Sequence, residues 1–323
     1  MQAPDFWKTS GGLATFLSPL SLLWRAGACW RTAISTARHP GGKVICVGNF
    51  TIGGAGKTPT VLALYDILRD LDIHPHFLSR GYGGTQTGPH RIDPKHDTAT
   101  DVGDEPLLLS QYGPAWVARN RADGAQAARD AGAGVILLDD GLQNPTLIKD
   151  CSLAVIDGAY GIGNGKVIPA GPMREPLAQG LAKVRAVILI GDDQTGFCQK
   201  LPPEMPVFKA RIIPQNGDEF TGKRVIAFAG IGRPAKFYDS LRACGADIIA
   251  TRDFADHHVF SSSELTQLRH DADRQKATLV TTEKDFMRLP VADRHGITPL
   301  RVCLEFQDRA AVLHLMETVI THG

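Results

Sequence analysis

The sequence predicts an α/β protein, a parallel sheet flanked by helices with a second, smaller α/β domain behind it. Short apolar runs recur along the chain, each followed by a helical stretch or a glycine turn: Val44 to Val47, Phe77 to Leu78, Gly134 to Leu138, Leu153 to Ile156 and Ala186 to Ile190. Alternation of this kind builds βαβ units, whose strands are buried on both faces and therefore read as continuous apolar runs. Pro202, Pro203 and Pro206 break the series, and a second set of runs opens after them at Val225 to Ala229. With 323 residues, 43% hydrophobic and 21% charged, the chain can bury two cores and is neither disordered nor an integral membrane protein.

The first element is the apolar run Leu13 to Trp24, ended by Arg25. It stops short of the ~20 apolar residues that cross a bilayer. Lys8 ahead of it and Ala26-Gly27-Ala28 behind it imitate a signal peptide, but a charge between apolar core and cleavage site argues against export. A helix with Ser18 as N-cap and Pro19 at its first position, stopping at His39-Pro40-Gly41-Gly42, fits the capping rules. No Asp or Glu lies between Asp5 and Asp66, whereas Lys8, Arg25, Arg31, Arg38, Lys43 and Lys57 all do. Residues 1–38 are thus read as an N-terminal membrane-interacting helix with snorkelling basic side chains, the alternative being a helix that packs on its own protein. The net charge of +1 gives no bias toward nucleic acid. Six cysteines without C-x-x-C spacing suit free thiols in a reducing compartment rather than a zinc site.

Next comes Val44 to Thr60, VICVGNFTIGGAGKTPT, a strand, a glycine-rich turn and a helix opening at Gly56-Lys57-Thr58. This is the layout of a P-loop. Backbone N–H groups of Thr51, Ile52, Gly53, Gly54, Ala55 and Gly56 would form an anion nest at the positive end of the helix. Lys57 would reach the β- and γ-phosphates of a nucleoside triphosphate, and the Thr58 hydroxyl would ligate Mg²⁺. Thr51 stands where the common pattern has glycine.

Further along, Gly134 to Asp140 (GVILLDD) is an apolar strand ending in two carboxylates, either of which, Asp139 or Asp140, fits an Mg²⁺-linked acid. Val102 to Pro106 (VGDEP) carries Asp104 and Glu105 at a helix start, a capping turn by default. Phe254 to His258 (FADHH) sets Asp256 beside His257 and His258, a group suited to orienting and exchanging protons. Ser79 to Gly84 (SRGYGG) could present Arg80 to phosphate, and Gly171 to Pro176 (GPMREP) could supply Arg174 for an anion and Glu175 near the metal. Residues 39–206 form the expected kinase domain, and Val207 to Ile213 an extended connector opening the 207–323 domain. There, Gly230-Ile231-Gly232 lacks the third glycine of a dinucleotide fingerprint and reads as a strand-to-helix turn before a helix over Ala235 to Cys244. Ile248 to Ala250, Thr278 to Thr281 and Arg301 to Phe306 complete the strands of that domain.

Six of these motifs in one order, GNFTIGGAGKTP, SRGYGG, VGDEP, LDDGLQ, GPMREP and FADHHVF, resemble the motif set of the tetraacyldisaccharide 4'-kinase (lipid A 4'-kinase) family of Gram-negative bacteria. The resemblance runs from the SPLSLLW segment to about residue 285, and Thr51 itself is similar to the family pattern. It implies ATP-dependent phosphorylation of the 4'-hydroxyl of an acylated glucosamine disaccharide 1-phosphate, giving lipid IVA, at the cytoplasmic face of the inner membrane. It also implies Asp104 as the catalytic carboxylate, Asp256 and His257 as its supporting pair, Asp139, Asp140 and Glu175 as Mg²⁺-linked acids, and a cleft between domains that closes on ATP. A partition-type or metal-chaperone NTPase acting as a switch remains the competing reading, although Asn49-Phe50-Thr51-Ile52 lacks the early lysine usual there. A third is a non-enzymatic membrane adaptor, in which Asp104, Asp256 and His257 would have no required role.

Overall fold

In the computed structural model, residues 4–9 and 11–321 are described. Thirteen strands follow in chain order: β1 (Lys43–Gly48), β2 (Pro75–Ser79), β3 (His90–Arg91), β4 (Ala115–Val117), β5 (Val135–Asp139), β6 (Cys151–Asp157), β7 (Ala186–Ile190), β8 (Val207–Pro214), β9 (Arg224–Ala229), β10 (Asp247–Asp253), β11 (Thr278–Thr282), β12 (Ile297–Leu300) and β13 (Val302–Phe306). The helices are α1 (Gly12–Ile34), α2 (Lys57–Asp70), α3 (Ala99–Val102), α4 (Asp104–Leu109), α5 (Arg121–Asp130), α6 (Leu177–Leu181), α7 (Pro234–Ala243), α8 (Ser262–Gln275), α9 (Glu283–Arg288) and α10 (Arg309–Thr321).

Nine strands build the large sheet in the order β13-β8-β7-β6-β1-β5-β2-β4-β3, parallel from β8 to β4 with an antiparallel strand at each edge. The central strand shows why its sequence is apolar throughout. Val44 and Cys46 enter the core on one face of the sheet while Ile45 and Val47 enter the core on the other, as the two-residue period of a strand requires. The register then decides the chemistry. Val47 pairs with Asp139, so the acid that ends β5 lies beside the last residues of β1, just ahead of the glycine turn. A second, wholly parallel sheet of order β10-β9-β11-β12 has its own two cores.

Two boundaries differ from expectation. The large sheet does not stop at residue 206: Val207 to Ile213 is not a connector but part of β8, which pairs with β7, and β13 returns from the end of the chain to pair with β8. The smaller unit is therefore an insertion between β8 and β13, and β13 and α10 pack into the core of the large one. An edge strand with one wet face carries a mixed pattern, and nothing local in it names a partner so distant in sequence. The first helix also begins earlier and ends earlier than expected, at Gly12 and Ile34, with Pro19 inside it. Ser18 is no cap; its hydroxyl donates back to the Ala14 carbonyl at 2.8 Å and accepts from Lys166 Nζ at 2.9 Å. The helix is docked by Ser21 Oγ on the Val167 carbonyl (2.7 Å) and by the Trp24 indole N–H on the Arg174 carbonyl (3.1 Å), while Leu13, Phe16, Leu22, Leu23, Trp30 and Ile34 stay exposed. No helix among the described residues is long and apolar enough to cross a membrane.

Candidate active site

The chain turns from β1 into α2 through Asn49 to Gly56. Gly53 (φ +113°) and Gly56 (φ +90°) take backbone angles that favour glycine, and a side chain added at Gly53 or Gly54 would meet no atom within 4 Å, so the turn is an open cradle. The GPMREP segment is zipped along its first half: Ile52 N–H donates to Pro172 O (2.9 Å), Arg174 N–H donates to Phe50 O (2.8 Å), and Thr51 bridges to Met173 as an antiparallel pair. That pairing accounts for a threonine at position 51, where the extended backbone asks for no glycine. Ala55 is buried, and Lys57 and Thr58 open α2 as buried polar residues.

Asp139 and Asp140 are consecutive in sequence and opposite in surroundings. Asp139 is 1% exposed, and among the described residues both of its oxygens lack a hydrogen-bond partner. Burial, then the charge of Glu105, push its carboxyl up to about 7. Asp140, in the left-handed region (φ +52°), turns away to accept from Arg174 Nη1 and Nη2 at 2.8 and 3.0 Å and to lie 3.9 Å from Lys57 Nζ. Burial opposes its ionisation, but Lys57 and Arg174 prevail and hold it at about 2. Glu175 pairs with Lys183 and accepts from Gln143 Nε2 at 3.1 Å, and the same amide donates to the Asn49 carbonyl. Asp139, Asp140 and Glu175 accordingly do not converge as one three-acid cage. The orphaned Asp139 carboxylate is the group that fits a divalent cation, since a buried acid without a partner is costly and Mg²⁺ takes one or two carboxylates plus phosphate oxygens.

In the same large unit, Asp104 opens α4 directly after Gly103 (φ +90°), where a Cβ would lie 2.6 Å from the Tyr82 carbonyl. It is 4% exposed. Its Oδ2 takes Arg288 Nε at 2.9 Å, Arg288 Nη2, and His257 Nδ1 at 3.3 Å. His257 adopts φ +59°, a position held because its N–H donates to the Gly230 carbonyl at 3.1 Å, and its Nε2 stands 3.9 Å from Asp256. The Asp104 hydrogen bond raises the His257 pKa. Burial would raise that of Asp104, yet His257 and Arg288 bring it well below the usual carboxylate range. His258 points elsewhere, to Glu264 at 3.0 Å, with its ring on Phe254.

The structure therefore brings Asp104 and His257 together and sets Lys57 against Asp140. Lys284 and Arg288 were not legible in the sequence. They lie one helical turn apart on α9 and pair with consecutive acids of α4, Lys284 with Glu105 and Arg288 with Asp104. A four-residue charge spacing on a short helix signals nothing until the facing helix is known.

An open glycine cradle at the end of a parallel strand, an acid-tipped neighbouring strand and a buried carboxylate gripped by residues of the second unit define a phosphotransferase of the P-loop class. Residues 13–321 match the family model described as tetraacyldisaccharide-1-P 4'-kinase, and the chain belongs to that family. It is 47% identical to the tetraacyldisaccharide 4'-kinase of Rhodospirillum centenum, covering 99% of this chain and 97% of the other, and 48% identical to that of Methylorubrum extorquens over 95% of each. The fold matches the crystal structure of the "apo" form of LpxK from Aquifex aeolicus in complex with ATP, with a TM-score of 0.76 over 95% of this chain and 99% of that one at 23% identity. As a member of the family the chain is an ATP-dependent kinase of lipid A biosynthesis, and the switch NTPase reading falls away.

Proposed function

We propose that Asp104 accepts the proton of the sugar 4'-hydroxyl with His257 as its supporting partner, and that the reaction takes place on the cytoplasmic face of the inner membrane. The observation that carries the reading is the 3.3 Å approach of His257 Nδ1 to Asp104, which joins the segment after β10 in the smaller unit to the start of α4 in the large one. A sugar hydroxyl is a poor nucleophile, so transfer needs positioning, charge neutralisation and a proton acceptor. The backbone of residues 51–56 binds the phosphates, Lys57 offsets charge on the γ-phosphoryl group, and Asp140 with Arg174 orients that lysine. Asp139 and Thr58, with Glu175 in support, would hold Mg²⁺, which would supply Lewis-acid neutralisation of the phosphate oxygens. Asp256 steadies the far nitrogen of His257.

Membrane contact is supported by α1, whose exposed apolar side chains include Leu13, Phe16, Leu22, Leu23, Trp30 and Ile34 and whose own charged side chains, Arg25 and Arg31, are cationic. Anionic lipid is the complementary surface. The acyl chains of the acceptor would rest in the same layer.

Kinetics of Asp104→Ala, His257→Ala and the double variant test the site. Each single change should lower kcat with ATP affinity retained, and the double variant should be no slower than the worse single one; fully additive losses would assign the two residues separate roles. For the surface, replacing Leu22, Leu23 and Trp30 with Ser should weaken co-sedimentation with anionic vesicles and raise KM for the lipid acceptor alone. Unchanged sedimentation would make α1 a packing helix.

A further inference from the structure

Two ion pairs between the units come from α9, and they end on the two acids that open α4. Lys284 and Arg288 are spaced by one helical turn, as are the two ends of a clamp, and Asp104 and Glu105 are consecutive on the opposite side. The Arg288 side chain is 6% exposed and fully engaged: Nε and Nη2 on Asp104 Oδ2, Nη1 on the Gly230 carbonyl at 2.7 Å and on Asp285 Oδ1 at 2.7 Å. His257 also approaches Oδ2, so among the described residues every hydrogen bond to Asp104 falls on one oxygen. Oδ1 is left over.

We propose that Arg288 is a positioning residue of the phosphoryl transfer, which holds Asp104 as a carboxylate through Oδ2 and reserves Oδ1 for the proton of the attacking hydroxyl. The inference rests on the reading of Asp104 as the proton acceptor. In the step itself the hydroxyl O–H bond breaks and its proton passes to Oδ1, the sugar oxygen forms a bond to the γ-phosphorus, and the bond from that phosphorus to the β-γ bridging oxygen breaks to release ADP. The proton then leaves Asp104 for solvent. Two N–H groups of one planar guanidinium converging on Oδ2 fix where that oxygen sits as well as its charge, which the freely rotating ammonium of a lysine does not.

The groups facing Asp104 are Arg288, Lys284 and Asp285 from α9, His257 with Asp256 behind it from the segment after β10, and Glu105 on its own helix. Arg288 is the nearest cation, and an adjacent arginine lowers an aspartate pKa by about 1–3 units. Removing it must move the acid limb of activity upward, because Asp104 has to be ionised to accept a proton.

The test is the pH dependence of kcat/KM for the full chain with ATP and a tetraacyldisaccharide 1-phosphate acceptor, comparing wild type, Arg288→Gln, Arg288→Lys and Asp104→Ala. Arg288→Gln should shift the acid limb up by about 1–3 pH units and lower kcat across the plateau; Arg288→Lys should recover most of the limb position but not the plateau. A uniform loss with an unmoved limb in both variants, with ATP affinity and melting retained, would overturn the proposal and leave Arg288 as lobe packing. Should Arg288→Gln fail to fold, Arg288→Lys alone decides, since a limb at the wild-type pH with an undiminished plateau would show that planar contact is unnecessary. Near-normal turnover by Asp104→Ala would instead sink the proton-acceptor reading itself.

Discussion

Two strand-to-helix turns in this molecule share a glycine-rich sequence and have opposite fates. In the large sheet the turn from β1 into α2 leaves space: a side chain at Gly53 or Gly54 would touch nothing within 4 Å. The turn from β9 into α7, Gly230-Ile231-Gly232, is already filled. Gly230 N–H donates to Asp285 Oδ2 at 3.1 Å, its carbonyl accepts from His257 N–H and Arg288 Nη1, and a Cβ there would lie 3.1 Å from both the Ala255 carbonyl and Asp285 Oδ1. A third turn, after β7, shows the same logic, because Asp193 accepts backbone N–H bonds from Thr195, Phe197 and Cys198 at 3.1, 3.0 and 2.8 Å. A nest binds phosphate only where the protein has not supplied its own occupant. Gly230 of the second turn serves instead to let His257, Arg288 and Asp285 converge on its own carbonyl and amide.

The largest expected effect comes from breaking the open turn. Lys57→Ala removes the P-loop cation that follows charge onto the γ-phosphate, so kcat should fall by about 10³-fold or more while circular dichroism and melting stay near wild type. Near-normal activity in the folded variant would remove the P-loop from the mechanism. Gly54→Ala sharpens the contrast: its methyl enters space reserved for ligand, so ATP affinity should drop by roughly tenfold, about 1.4 kcal/mol, with the melting temperature unmoved.

In the filled turn the signs reverse. Gly230→Ala presses on backbone and on Asp285, and should cost about 1–2 kcal/mol of stability and lower kcat by displacing His257, with ATP affinity kept. Equal loss of ATP affinity in both alanine variants would show that the two turns do not differ as described. The smallest effect belongs to Asp193, whose carboxyl is held at about 2 by three backbone N–H groups against its partial burial. A lowered carboxylate pKa adds stability that is complete above the ordinary value of about 4 and is lost as pH falls from there through about 2. Asp193→Asn should cost roughly 1 kcal/mol at neutral pH and flatten that acid limb of the unfolding curve, with no change in phosphoryl transfer.

Much of the site was legible because its signals are local. Gly53, Gly56, Lys57 and Thr58 act through backbone N–H directions and a helix start, which a stretch of ten residues encodes, and the apolar run into Asp139 is likewise written in one strand. Asp104 looked like a capping acid and His257 like one of two equivalent imidazoles. The local pattern offered no reason that His257 rather than His258 meets Asp104, and only the family resemblance singled it out; the left-handed backbone at position 257 and the Glu264 contact of His258 sort them. Nor could Asp139 be told from Asp140 by spacing, since a single residue past the strand end reverses which way a side chain points.

The sequence alone determined the parallel sheets, the phosphate cradle and the cationic, acid-free N-terminal segment, because periodicity, glycine content and charge act within a few residues of where they are written. Only the tertiary structure decided that β8 and β13 extend the large sheet, that Asp139 is left without a hydrogen-bond partner among the described residues while Asp140 meets Lys57 and Arg174, and that Lys284 and Arg288 clamp the two acids of α4. Those outcomes depend on which distant atom fills a given space. Hydrogen bonding, desolvation and ion pairing all fall off within a few ångströms, so a residue's chemistry is settled by neighbours that the chain brings in from anywhere along its length.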